Sequence, residues 1–190
     1  MPALVAALAG GVEVAWASSW VLYRIAETDS GLAKRVAAAP GALPALVAAM
    51  AGGSQVATYC SGVLSNIMSA DPAFPRRVAE TPGALPAVVA AMAYGSNAAT
   101  NCSAALFNVI EGGPALVQRV AETPGALPAL VSAVADRGGS APACAAALAQ
   151  IASASPEHAR RVGQVPRALT ALLAAVAAGG RAAAAAPTVQ

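Results

Sequence analysis

Residues 82–123 read PGALPAVVAAMAYGSNAATNCSAALFNVIEGGPALVQRVAET. The same text starts again at Pro40 and at Pro124, and a degraded copy, PRALTALLAAV, starts at Pro166. These prolines are 42 residues apart, and Cys60, Cys102 and Cys144 keep the same step. Pro2-Ala3-Leu4-Val5 is in phase with Pro44-Ala45-Leu46-Val47. A fixed period of this size, without slippage, marks an array of stacked units rather than a globular domain with one cleft.

Glycine and proline divide each unit into three helical pieces. In the copy from Asp71 to Glu111 the first piece is short, about 72–80. Asp71 is its expected N-cap and Pro72 its first helical residue. Thr81-Pro82-Gly83 then forces a turn. The second piece, 84–93, places Leu85, Val88, Val89 and Met92 at the i, i+3, i+4, i+7 spacing of a helix with one buried face. Gly95 ends it, Ser96 or Asn97 is expected to cap the next, and the third piece runs to about Ile110. The other copies predict helices at 2–9, 12–27, 29–39, 41–51, 54–69, 112–123, 125–136, 140–153, 155–165 and 166–178. The organisation is a partial repeat at 1–39, repeats at 40–81, 82–123 and 124–165, and a partial repeat at 166–178. The alanine-rich stretch 179–190 has little to pack and is expected to be a disordered tail.

Composition narrows the interior. Hydrophobic residues make up 57% of the 190-residue chain, but aromatics only 4% and charged residues 11%. Much of the apolar content is alanine, so the helices must approach closely. A net charge of +2 is too small to argue for nucleic acid by itself. The three cysteines share one repeat position. Equivalent helices stack about 9–10 Å apart, whereas a disulfide needs Cα atoms within about 7 Å. Small buried apolar residues are the better reading than a disulfide or a metal set. No charged leader precedes the first apolar run, so no secretory signal is evident, and an intracellular setting, cytoplasmic or nuclear, is expected. Residues 36–70 and 83–110 carry no charged side chain and are long enough to span a bilayer. Both are interrupted by Pro-Gly, by a second glycine turn and by polar residues, which weighs against a membrane protein.

GALPALVAAM followed by VATYCSGVLSNIMS, and GALPAVVAAM followed by AATNCSAALFNVIE, resemble armadillo repeats. The family pattern is a glycine turn, an I/L-P-x-L-V helix, and a helix ending in a W-A-L-x-N-I-A-like run. Trp20-Val21-Leu22-Tyr23-Arg24-Ile25-Ala26 keeps the tryptophan but has arginine at the asparagine position. Ser65-Asn66-Ile67 and Phe107-Asn108-Val109 keep the asparagine, with Gly62 and Ala104 where the tryptophan would stand. The resemblance covers the chain to about residue 178. It implies an all-α, right-handed α-solenoid of three-helix repeats.

Function is then sought in ladders of equivalent exposed positions. Along the third helix, Val56, Cys60, Val63, Leu64 and Ile67 form the core arc at about 100° per residue. Position 66 lies beside that arc, and its ladder reads Arg24, Asn66, Asn108, Gln150. In peptide-binding armadillo proteins the matching asparagines hold the peptide backbone. By resemblance Asn66 and Asn108, with Gln150, are candidates for that role; the alternative is a merely wet helix face. The tryptophan ladder reads Trp20, Gly62, Ala104, Ala146, so the regular aromatic slots that clamp lysine stems are missing. That argues against a nuclear-import-type receptor.

Trp16, Trp20, Tyr23 and Arg24 fall together on the first long helix. Exposed aromatics beside an arginine have the composition of an interface hot spot. They are read as a partner-binding patch; the alternative is packing against a preceding repeat. On the short first helices, Arg35, Arg77, Arg119 and Arg161 form a row, flanked by Lys34, Arg76 and Arg160. It could meet phosphates, but Glu80 and Glu122, three residues after Arg77 and Arg119, suggest ordinary solvated ion pairs.

The sequence shows no phosphate loop, no nucleophile elbow and no repeated metal-ligand spacing around its one histidine, His158. No cofactor, metal or enzymatic activity is expected. The reading is a protein-interaction scaffold that binds a protein or an extended peptide along the third-helix surface. The rival is a subunit or fragment built into a larger complex through uncapped ends. Those ends present Leu4, Val5 and Leu8 at one side and Leu169, Leu172 and Leu173 at the other.

Overall fold

In the computed structural model, which describes residues 1–136 and 138–184, every regular element is helical. The order is α1 (Pro2–Ala7), α2 (Val12–Thr28), α3 (Ser30–Ala38), α4 (Ala42–Ala49), α5 (Ser54–Ala70), α6 (Phe74–Glu80) and α7 (Ala84–Ala91). It continues with α8 (Ser96–Glu111), α9 (Pro114–Glu122), α10 (Ala126–Ala135), α11 (Ala141–Ala154), α12 (Pro156–Gln164) and α13 (Ala168–Ala184). Single 3₁₀ turns, Met50–Gly52 and Met92–Tyr94, finish α4 and α7.

Each repeat is therefore a short first helix, a second helix and a long third helix. The long helices α2, α5, α8 and α11 stack in sequence, and α4, α7, α10 and α13 form a parallel tier. One continuous apolar core threads the stack, with Leu22, Leu64, Leu106 and Leu148 fully buried at one repeat position. Cys60, Cys102 and Cys144 sit at matching places, all buried and all unpaired. The predicted arc of Val56, Cys60, Val63, Leu64 and Ile67 is buried throughout.

The turn from first to second helix needs a left-handed residue. Gly41, Gly83 and Gly125 supply it at φ 72°, 75° and 79°. At the fourth equivalent position stands Arg167, with φ 67°, the one described non-glycine residue with positive φ. The PGALP text thus marks a backbone shape that glycine adopts without steric cost.

Local capping differs from expectation. Asp71 accepts a hydrogen bond from the Ala73 backbone N–H at 3.0 Å, so it closes a turn, and α6 begins two residues later than expected, at Phe74. Asp29 and Ser155 do cap, accepting from Leu32 N–H at 3.0 Å and His158 N–H at 3.1 Å. Ser96 and Asn97 do not cap α8. Gly95 occupies that position with no side-chain bond, and Ser96 is already helical. The helix from Ala168 runs on to Ala184, so residues 179–184 of the expected tail are helical. The rest of it, 185–190, lies outside the described residues.

The two charge-free stretches do not become single spans. Among the described residues no helix is long and apolar enough to cross a membrane; the nearest pair, Ser30–Ala38 with Ala42–Gly52, is bent by 93°.

Candidate functional site: the third-helix ladder and the α2 aromatic patch

Trp16 and Trp20 lie one turn apart on α2 and are 40% and 45% exposed. With Val12 below them they form an apolar stripe at i, i+4, i+8 on a helix whose opposite side carries buried Leu22 and Ala26. Arg24 continues the stripe. Its guanidinium pairs with Glu27 Oε2 at 2.6 Å, and the Tyr23 hydroxyl donates to Glu27 Oε1 at 2.8 Å. Both carboxylate oxygens of Glu27 are thereby occupied. The hydrogen bond to Glu27, with partial burial, holds the Tyr23 phenol above its ordinary value.

Tyr23 itself is half-buried. Its ring lies 5.8 Å from that of Tyr59 at a 40° tilt. A Cβ built on Gly62 would stand 2.7 Å from the Tyr23 ring carbons. The absence of a side chain at 62, which removes a tryptophan from the ladder, is what lets Tyr23 lie between α2 and α5. Of the predicted patch, Trp16, Trp20 and Arg24 are open to solvent and Tyr23 is an inter-repeat contact.

The amide ladder is not a row of free donors. Asn108 Nδ2 donates back to the preceding repeat, to Ser69 Oγ at 3.1 Å and to the Ser65 carbonyl at 3.2 Å. Gln150 Nε2 donates to Glu111 Oε1, two positions equivalent to Asn108 and Ser69. The same rule assigns Glu27 to Asn66, but Tyr23 and Arg24 hold that carboxylate. Asn66 Nδ2 is buried with no hydrogen-bond partner. A further tie that sequence reading missed is Asn101 Nδ2, which donates to the Thr58 carbonyl at 2.8 Å. Its signal is periodic: these ties join residues 39 or 43 apart, one repeat less or more a few residues.

Half of the arginine row is also structural. Arg119 donates to the Ala79 carbonyl and Arg161 to the Ala121 carbonyl, each at 2.8 Å. Those carbonyls belong to the last turn of the preceding first helix, where acceptors lack intrahelical donors and carry partial negative charge. Arg77 lies over the Phe74 ring at 4.9 Å. The expected pairs Arg77–Glu80 and Arg119–Glu122 do not form. Arg119 is spent on the neighbouring repeat, and Glu122 instead accepts from Gln118 Nε2 at 2.7 Å. Lys34 reaches the next repeat's Asp71 at 3.1 Å. The Ala73 N–H and Lys34 together hold the Asp71 carboxyl below its ordinary value.

Shallow grooves recur where one repeat's Thr-Pro-Gly turn meets the next repeat's arginine, as at Thr81, Pro82 and Arg119. Among the described residues no group of His, Cys, Asp and Glu is placed to hold a metal ion.

Three-helix layers, a glycine turn and laddered third helices define an armadillo-like α-solenoid. Solved structures match it over nearly the whole chain. An engineered protein is 26% identical, with 93% of this chain and 69% of that one covered and a TM-score of 0.69. A designed armadillo repeat protein in complex with the peptide (KR)4 is 22% identical, with 92% and 69% covered and a TM-score of 0.69. Another designed armadillo repeat protein is 20% identical, with 92% and 99% covered and a TM-score of 0.54. No family model matches the sequence, and no curated protein does.

Proposed function

We propose that this chain is a non-enzymatic interaction scaffold whose partner, a protein or an extended peptide, docks on the third-helix surface at the α2 end. The observation that carries this reading is the exposure of Trp16 and Trp20 together on one stripe, in a chain with few aromatics. Large aromatic side chains bury much area for little lost rotamer freedom, so such a pair anchors an interface. Arg24 beside them adds a charged donor. Asn108 and Gln150 contribute by holding the layers in register, because their amides already face neighbouring side chains. The designed protein bound to (KR)4 supports the shape as a peptide platform, although this chain lacks a repeated tryptophan ladder.

The test is affinity capture with the full chain and with Trp16→Ala/Trp20→Ala. The helical signal should be unchanged, since neither side chain is in the core. Partners retained by the parent and lost by the variant would support the reading. Identical capture by both would remove it.

A further inference from the structure

The outer face of α13 carries Leu169, Leu173 and Val176, which are 65%, 70% and 74% exposed. At i, i+4, i+7 they form one stripe. Their equivalents one repeat earlier, Leu127, Val131 and Val134 of α10, are all buried. So are Leu43 and Val47 of α4 and Met50 of the 3₁₀ turn that follows it. In α1 and its two caps the same columns hold Met1, Val5 and Leu8, and α1 packs on α2 and α4. Val5, for example, clusters with Ala39 and Ala42. The stripe on α13 is thus the surface through which every other second helix meets the layer after it.

The opposite end offers the matching seat. On α2, Val14 is 51% exposed, whereas its equivalent Val56 is buried in the continuous core. Val21 and Ile25 are partly exposed, whereas Val63 and Ile67 are fully buried. The helix in the seat, α1, spans only Pro2–Ala7. The first layer is balanced, with Glu13, Glu27 and Asp29 against Arg24, Lys34 and Arg35, so it does not repel the α13 end, where Arg160, Arg161 and Arg167 outnumber Glu157.

We propose that copies of this chain associate head to tail, with α13 of one copy taking the place of α1 on α2 and α4 of the next. α11 then stacks on the second copy's α2, as α5 stacks on α2 within one chain, and α12 supplies a first helix ahead of it. The displaced α1, with 6 residues, is the shortest α-helix among the described residues. Because the two surfaces differ, the contact is heterologous and does not close at two copies.

Sedimentation of the full chain over a concentration series tests this. The mass should rise past that of a dimer. Leu173→Asp, at a position outside the core, should weaken association on the order of tenfold to a hundredfold while leaving the helical signal intact. Val5→Asp loosens α1 from the seat and should strengthen association, and Leu173→Asp added to it should restore the monomer. Should Val5→Asp prove misfolded by its helical signal, Ala42→Cys/Leu173→Cys replaces it: the double variant should cross-link into a ladder of copies, and Leu173→Cys alone should not. A monomer at all concentrations would overturn the proposal. So would a dimer that ignores Val5→Asp, or one cross-linked by Leu173→Cys alone, since either means that two α13 stripes meet each other.

Discussion

Single residues carry most of what is particular to this solenoid. Arg167 stands where Gly41, Gly83 and Gly125 hold the left-handed conformation, and a Cβ there costs of order 1 kcal/mol or more. Arg167→Gly should therefore raise stability by about 1 kcal/mol, read from the midpoint of urea unfolding at constant slope. The amide ladder gives an opposed pair. Asn108→Ala removes bonds to Ser65 and Ser69 and should cost roughly 1–2 kcal/mol. Asn66→Ala deletes a buried donor that has no partner, so it should be neutral or stabilising. If Asn66→Ala proves as costly as Asn108→Ala, the Glu27 account is wrong. This contrast was not legible in the sequence. Both asparagines occupy one column and look equivalent, and only the capture of Glu27 by Tyr23 and Arg24 separates them.

At the level of helices, the 42-residue period and the Pro-Gly punctuation were sufficient to place the elements, because each repeat spells the same three buried stripes. Leu85, Val88, Val89 and Met92 are buried as their spacing requires. What the pattern could not show is where side chains reach between layers. Position 62 reads as a lost tryptophan, yet its meaning lies in Tyr23 of the preceding helix. A Cβ at 62 would sit 2.7 Å from that ring, while Asn101 Nδ2 would be 3.0 Å away on the other side. Gly62→Ala should thus destabilise the α2–α5 contact by roughly 1–3 kcal/mol. In a Tyr23→Ala background the main clash is gone, and the better helix propensity of alanine should take over. There Gly62→Ala should become stabilising by up to about 1 kcal/mol. A double-mutant cycle by thermal unfolding reads the coupling, and the predicted change of sign is its signature. The contacts of Arg119 and Arg161 escape the sequence for a related reason. Intrahelical spacing to Glu80 and Glu122 is visible in one dimension, but the carbonyl ends of the preceding helices are not.

For the whole molecule, the cysteine column converts stacking into a response to pH. Burial pushes the Cys60 and Cys102 thiols up to about 12, from an ordinary value of 9.0. Cys144 is raised by burial too, partly offset by Ser103, to whose Oγ its thiol lies 2.9 Å away. These groups are neutral when protonated, and the unfolded chain loses their protons first. Above pH 9 the unfolded state therefore binds fewer protons than the folded one, and stability falls as pH rises. The loss begins near 9 and continues toward 12, at up to about 1.4 kcal/mol per pH unit for each fully protected thiol. All three residues lie in one continuous core, so the losses fall on the same array. Urea unfolding at pH 8, 9, 10 and 11 should show a midpoint that is flat at first and then drops steadily. A variant with Cys60, Cys102 and Cys144 all changed to alanine should start lower, from lost packing, but decline less between pH 9 and 11. Equal alkaline slopes in parent and variant would mean that the column is not sealed between the layers.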